Sequence, residues 1–366
     1  MKIAIDCRFW GVEHTGLGRY TEHLLKNLLK QDKQNQYFLL VNSSAQERIK
    51  TALAPSKNFN LVEVNARHYS LKEQLVLPRI LNQLQPDLTH FLHFNTPIFY
   101  FGKTIVTIHD LIKHYSRGRQ TTTLSPLIYY FKYLNYRLVF GRTVKKAVKI
   151  IVPSEFVRLQ LIKVYGLINQ RVKVISEGVE PEFFKTTKAF KQTKPYLLYV
   201  GNLYPHKNLE RLVQAIKLLQ PPIELVIVSS RDVFLKKFIQ QVDHLCVRKL
   251  VRFIHQPSDR QLRALYQGAA AFITPSLIEG FGLPGIEAMA SGCLVLAAQA
   301  SCLPEIYGKH ACYFDPLDVN DIKAKIAQVR RYPPAVRKKL ILKAKNWAKQ
   351  YCWQKTAQET LSVYKK

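Results

Sequence analysis

With 366 residues and 47% apolar content, the chain can fill two ordinary domains, each with its own core. No stretch approaches the ~20 uninterrupted apolar residues of a spanning helix, and the six cysteines are scattered without a CxxC pair, which excludes a transmembrane bundle and argues against a disulfide or zinc framework. A formal net charge of +30 calls for something anionic: a membrane surface, a nucleic acid or a phosphorylated substrate.

The opening run Met1-Lys2-Ile3-Ala4-Ile5-Asp6 carries an acid inside its apolar stretch. It reads as a buried strand and not as a secretion signal, so a soluble, cytoplasmic protein is expected. Further runs at 37–41, 60–64, 88–91, 104–108 and 150–153 predict strands of a first half. Those at 196–201, 223–229, 251–254, 270–274 and 294–298 predict strands of a second. They are rich in β-branched residues and lack strict alternation, as expected of a parallel sheet covered on both faces. Segments 19–30, 209–219 and 260–267 carry apolar residues at helical spacing, and everything after Asp318 reads as helix. Sustained strand–helix alternation predicts two doubly wound α/β domains with a cleft between them. The lysine-rich stretch 183–194 marks the boundary. The expected division is 1–185, 186–345 and a terminal segment 346–366.

Ligands of open α/β sheets sit beyond the carboxyl ends of the strands, which directs attention to four places. Thr15-Gly16-Leu17-Gly18-Arg19-Tyr20 puts a glycine turn before a helix start, where a phosphate is favoured. It lacks the third glycine of the dinucleotide fingerprint, which counts against a nicotinamide or flavin enzyme. His109-Asp110 follows the strand at 104–108, where a histidine can donate to a sugar hydroxyl or serve only structure. In Gly201-Asn202-Leu203-Tyr204-Pro205-His206-Lys207-Asn208, Asn208 is expected to cap the next helix and Lys207 to stand beside that helix start, suited to a diphosphate. The fourth place is the run Glu279-Gly280-Phe281-Gly282-Leu283-Pro284-Gly285-Ile286-Glu287. Backbone amides of Phe281, Gly282 and Leu283 can meet a phosphate. Glu279 can reach sugar hydroxyls, and Glu287 can accept two hydrogen bonds from a ribose.

Between Asp110 and Glu155 no acidic residue occurs. Arg117, Arg119, Lys132, Arg137, Arg142, Lys145 and Lys146 are interleaved there with Tyr129, Tyr130, Phe131, Tyr133, Tyr136 and Phe140. Bases mixed with aromatics suit a bilayer headgroup layer and also a nucleic acid.

The segments Glu279–Gly292, Val106–Leu111, Val152–Phe156, Ile175–Glu180, Tyr199–Ala215, Leu303–Gly308 and Trp353–Tyr364, with TGLGRY near the start, together resemble the GT-B glycosyltransferases, specifically the large retaining family 4 with its Glu-x7-Glu motif. The resemblance covers nearly the whole chain. It implies two Rossmann-like domains facing an interdomain cleft, with the final helices crossing back to brace the first. It also implies that Glu287 holds the nucleotide ribose, that residues 281–283 meet the diphosphate or donor sugar, and that Glu279 contacts the transferred sugar. Lys207 would neutralise the departing diphosphate, Gly16 would let its loop close on that group, and His109 would touch the donor sugar. Asn202 stands where many relatives have arginine, so a second base such as Arg19 is wanted. His255 stands where relatives often have glycine, leaving the nucleotide base open.

The implied activity is retaining hexosyl transfer, mannose-like or related, from a nucleotide-sugar to a glycan or polyprenyl-linked acceptor in cell-surface polysaccharide synthesis. No acidic pair stands at a plausible strand end, so no metal and no cofactor are expected. The basic-aromatic span, in the acceptor-binding half, predicts peripheral attachment to the inner face of the cell membrane. Two other readings stay open: a glycosyltransferase acting on nucleic acid, for which no base-flipping signature is evident, and a non-catalytic basic module for membrane or RNA, which would not need the donor motifs.

Overall fold

The computed structural model describes residues 1–366 except 12–13, 55, 117, 119–120, 123–124, 188–193, 231–232 and 366, and leaves the Thr15 side chain undescribed. The chain divides into two compact units. The first comprises Met1–Leu111, Leu124–Gly178 and Trp353–Lys366, the second Ile112–Thr123 and Val179–Cys352.

In the first unit the apolar runs become β1 (Lys2–Asp6), β2 (Gln36–Val41), β3 (Phe59–Glu63), β4 (Leu88–Phe91), β5 (Thr104–Thr107), β6 (Lys149–Val152) and β7 (Val172–Val174). They lie in the order β3-β2-β1-β4-β5-β6-β7, all parallel. The order reverses between β1 and β4, where Ile3 registers with Leu88. Both faces are covered, which is why β4 and β5 are buried at every position. One face packs Ile3, Ile5, Leu24, Leu28 and Leu39 with Trp353 and Ala357 of the terminal helix Trp353–Tyr364. The other packs Ala4, Leu77, Phe91, Val106 and Phe140. The terminal helix thus belongs to the first unit, and Tyr364 Oη lies 2.6 Å from His90 Nδ1. Burial, and then the nearby His109, pushes the His90 imidazole down to about 3, so it is neutral at physiological pH.

The second unit holds β8 (Tyr196–Val200), β9 (Glu224–Ser229), β10 (Val251–His255), β11 (Ala271–Thr274), β12 (Val295–Ala298) and β13 (Cys312–Phe314). Its order, β10-β9-β8-β11-β12-β13, is again wholly parallel, with the reversal between β8 and β11. This is the doubly wound order expected for a nucleotide-binding sheet. Both edge strands absent from the sequence reading, β7 and β13, are three residues long and partly exposed, too short to show as apolar runs. Among the described residues no helix is long and apolar enough to cross a membrane. All six cysteines are free, with Cys7, Cys293 and Cys302 buried.

One buried charge cluster fixes the loop after β1. Arg8 Nε lies 2.8 Å from Asp6 Oδ1, and Arg8 Nη2 lies 2.7 Å from both Asp6 Oδ2 and Glu73 Oε1. The Arg8 and Glu73 side chains are fully buried. Burial works against the Asp6 charge, but Arg8 outweighs it and holds the carboxyl below its usual range. Removing the guanidinium leaves two buried carboxylates uncompensated. Arg8→Ala is expected to lose about 3–5 kcal/mol of stability, read as a lower thermal midpoint at neutral pH, with the deficit shrinking as acid protonates Asp6. An unchanged midpoint would contradict this reading.

Candidate functional site

In the second unit the chemistry gathers at the carboxyl ends of β8 and β11, on either side of the strand reversal. After β8 the chain turns at Gly201, where a Cβ would stand 2.7 Å from the Tyr199 hydroxyl. That hydroxyl donates to the Asn202 carbonyl at 2.7 Å. Asn202 Oδ1 is itself buried without a hydrogen-bond partner. A short turn Pro205–Lys207 follows, then the helix Leu209–Lys217.

The expected capping role of Asn208 is not what the structure shows. Its backbone is left-handed (φ 58°), and its side chain makes no cap hydrogen bond. The amide instead donates to the carbonyls of Pro275 (3.1 Å) and Pro316 (2.7 Å). The Leu277 N–H donates to the His206 carbonyl at 2.8 Å. Asn208 therefore ties the loops after β8, β11 and β13 together, a long-range function invisible in local sequence.

This lacing brings Lys207 Nζ to 2.6 Å from Glu279 Oε1, with the two side chains only 14% and 15% exposed. Burial opposes the Glu279 charge, but Lys207, Ser276 and His206 outweigh it and hold the carboxyl below its usual range. Burial first, then the Lys207 charge, pushes His206 down to about 4 against the opposing pull of Glu279, leaving a neutral imidazole beside the pair.

The helix Leu283–Ala290 starts three residues beyond Gly280, with Gly282 as its N-cap at φ 86°. Here the glycines are required by one neighbour. The Tyr307 hydroxyl donates to the Gly282 carbonyl at 2.6 Å, and a Cβ on Gly282 or Gly285 would meet Tyr307 at 2.6 or 2.2 Å. The tyrosine thus lies against bare backbone at the helix start. Phe281 and Leu283 are buried, Phe281 edge-on to Tyr351 with centroids 5.6 Å apart. One turn on, Glu287 is buried and accepts a hydrogen bond from the Tyr266 hydroxyl at 3.0 Å. Ser276, Tyr266 and Tyr307 escaped the sequence reading. Only Tyr307 lay in a motif used there.

In the first unit, Gly16 sits in the first turn of the helix Thr15–Gln31, where a Cβ would meet nothing within 4 Å. The close approach expected of this loop belongs to Gly18, whose Cβ would fall 1.8 Å from the Gly11 carbonyl oxygen, and the positive φ (119°) to Gly11. His109 has both ring nitrogens engaged: Nε2 lies 3.1 Å from the Leu92 carbonyl and Nδ1 lies 3.1 Å from Glu177 Oε1. The carbonyl only accepts, so Nε2 is the donor in that contact. Glu177, within the 175–180 motif, was not singled out from sequence.

Lys132, Arg137, Arg142, Lys145 and Lys146 lie on the helix Pro126–Lys146. Lys132, Arg142 and Lys145 are exposed, while the Lys146 ammonium sits 4.3 Å above the Phe101 ring. Leu127, Phe131 and Leu134 of the same helix are exposed to 86%, 69% and 68%. Arg117 and Arg119 lie outside the described residues.

Residues 14–183 match the family model described as Glycosyltransferase Family 4, and residues 181–347 that described as Glycosyl transferases group 1. The chain is 26% identical over 384 residues to O-antigen chain mannosyltransferase B of Escherichia coli, covering 96% of each. It is 27% identical over 231 residues to O-antigen chain mannosyltransferase RfbU of Salmonella typhimurium, spanning 63% of this chain and 62% of that one. Among solved structures, Anabaena HepE in complex with UDP and glucose superposes with a TM-score of 0.73 at 16% identity, over 100% of this chain and 99% of that one.

Gly285→Ala is expected to lower stability by about 1–3 kcal/mol as Tyr307 is driven off the helix start. A thermal melt matching wild type would show that the packing is looser than described. For Glu279 the sign follows from a folded value below the usual 4.5: its stabilisation is present above that pH and lost as pH falls through the folded value. In acid titrations of stability, Glu279→Gln should therefore flatten the decline below about pH 4.5; a slope equal to wild type would assign the decline to other carboxylates.

Proposed function

The chain belongs to the family 4 and group 1 glycosyl transferases and has their GT-B fold, and on that premise we propose that it moves a hexose, mannose-like, from a nucleotide-sugar to a glycan or lipid-linked acceptor in polysaccharide synthesis. The mannose assignment leans on the two O-antigen mannosyltransferases above. The observation that carries the donor site is the Lys207–Glu279 pair, 2.6 Å apart at the strand reversal beside a glycine-cleared helix start.

In this reading Lys207 and the amides at Phe281, Gly282 and Leu283 receive the diphosphate, with Asn202 as a further donor contact. Glu279 orients the transferred sugar and Glu287 accepts from the ribose hydroxyls. The bond between the anomeric carbon and the phosphate oxygen breaks, its electron pair leaving with the diphosphate. The acceptor hydroxyl oxygen bonds to the same face of that carbon, and its proton passes to the departing phosphate oxygen. Products are a nucleoside diphosphate and a glycoside of retained configuration. Charge accumulates on the leaving oxygens, where a partly buried ammonium held by a neighbouring carboxylate needs little reorganisation. That supplies the electrostatic help without a metal or cofactor. His109 is doubly engaged by Leu92 and Glu177, so its ring is held fixed.

The acceptor half carries the helix Pro126–Lys146, and we assign that helix to an anionic membrane surface on the cytoplasmic side. Exposed Leu127, Phe131 and Leu134 supply apolar insertion, and Lys132, Arg142 and Lys145 contribute on the order of 1 kcal/mol each near anionic lipid. A duplex-reading function finds no such use for exposed leucines, which favours the membrane over nucleic acid.

Glu287→Ala should weaken nucleoside diphosphate binding by about 10- to 100-fold, the value of hydrogen bonds to a charged acceptor. Calorimetric titration showing an unchanged affinity would place the ribose elsewhere. Wild-type protein should sediment with phosphatidylglycerol-containing vesicles at low salt and be released as salt rises. A Phe131→Ser, Leu134→Ser variant should sediment less, and sedimentation identical to wild type would remove this helix from the membrane contact.

A further inference from the structure

The carboxyl ends of β1, β3 and β4 in the first unit carry six rings that none of the donor motifs uses: Phe9, His14, His68, Tyr69, His93 and Phe94. Phe9 stacks on His68 with centroids 3.8 Å apart and 12° between planes, and lies 4.9 Å from His93. Tyr69 stands 6.1 Å from His93 at 85° and 6.4 Å from Phe94. The cluster straddles the strand reversal of this sheet, where an open α/β sheet takes its ligand. Five of the rings are buried or half-buried, while Tyr69 exposes 57% of its surface.

Tyr69 is held there against its own preference. Its φ is 61°, a left-handed backbone that a bulky residue adopts at a cost. The conformation is fixed by its N–H, which donates to Glu73 Oε2 at 2.8 Å. Glu73 is in turn anchored by Arg8 at 2.7 Å and by the Asn95 side-chain amide at 2.8 Å. Beside it, the His68 ring stacks on Phe9 and its Nδ1 lies 3.5 Å from Glu73 Oε1. A loop that holds a tyrosine at positive φ with its ring largely exposed is costly to fold. The Tyr69 ring stands beside His68, His93 and Phe94, yet the residue remains 57% exposed. Such costs concentrate where a ligand is gripped.

We propose that Tyr69 is the platform for the acceptor, stacking against one face of a pyranose ring, with the Arg8–Glu73 cluster as its rigid support. The inference rests on the reading of the chain as a glycosyltransferase whose first unit receives the acceptor. The C–H bonds on one face of a pyranose are polarised positive and suit the negative face of an aromatic ring. A flat apolar ring edged by histidines also leaves the sugar hydroxyls directed outward to polar partners. Tyr69 acts by positioning; it touches the acceptor and takes no proton.

Glycine separates this role from a structural one, because glycine adopts φ 61° without strain. Tyr69→Gly is expected to melt at or above the wild-type temperature while losing acceptor binding. Tyr69→Phe is expected to keep both. The probe is a panel of methyl and p-nitrophenyl glycosides of mannose, glucose, galactose, rhamnose and N-acetylglucosamine, read by saturation-transfer NMR with saturating nucleoside diphosphate present. Expected is transfer to at least one glycoside with wild type and Tyr69→Phe, and at least a fivefold smaller signal with Tyr69→Gly. Equal transfer with Tyr69→Gly, no transfer to any glycoside, or a melting temperature that falls together with binding would each overturn the proposal. Nucleoside diphosphate binding in the same samples separates the two failures: if it persists, only the Tyr69 platform is wrong, and if wild type lacks it, the glycosyltransferase reading fails as well.

Discussion

A single ion pair, Lys207 with Glu279, organises the second unit's ligand edge. The two residues are 72 positions apart in sequence and 2.6 Å apart in space. Taking an ammonium and a carboxylate largely out of water is costly, and each is tolerated only because the other is there. The partners must therefore be delivered accurately. Asn208 does that by tying three strand-end loops with two hydrogen bonds, and the His206 carbonyl adds a third through Leu277. The result is a cation held in place in advance, as the proposed diphosphate site requires.

The helix beside this pair is shaped by subtraction. Tyr307 occupies the volume that side chains at 282 and 285 would fill. Its hydroxyl is pushed well above the usual phenol range, by burial first and then by the Glu279 charge, so it remains a donor to the Gly282 carbonyl. A bare backbone turn can be approached closely by a ligand, and a helix start offers amides with no intrahelical partner. The glycines thus make room for Tyr307, and the same stretch ends in Glu287, positioned by Tyr266 one helix away.

Much of this was legible in the sequence. The strand runs were visible because a doubly covered parallel sheet needs uninterrupted β-branched segments, and the motif 279–287 was visible because glycines and carboxylates that close together are unusual. What escaped has a common physical cause. Edge strands of three residues carry too little apolar surface to register. Asn208 reads locally as a helix cap, yet its amide is used across 67 and 108 residues. The glycines of TGLGRY read alike in sequence, whereas the steric constraint falls on Gly18 against Gly11, a contact between two turns of chain. Tertiary contacts decide which of several locally acceptable roles a residue takes. Neither Tyr69 nor Glu177 stands out without knowing what lies beside it.

The most direct measurement is the affinity of nucleoside diphosphates and of the parent nucleosides for wild type and Lys207→Met, by calorimetric titration. The account predicts that Lys207→Met loses most of its diphosphate affinity, by at least tenfold for one charge-assisted contact, while nucleoside binding is little changed. Equal diphosphate affinity in the two proteins would contradict the assignment of the pyrophosphate to this lysine and, with it, the donor site.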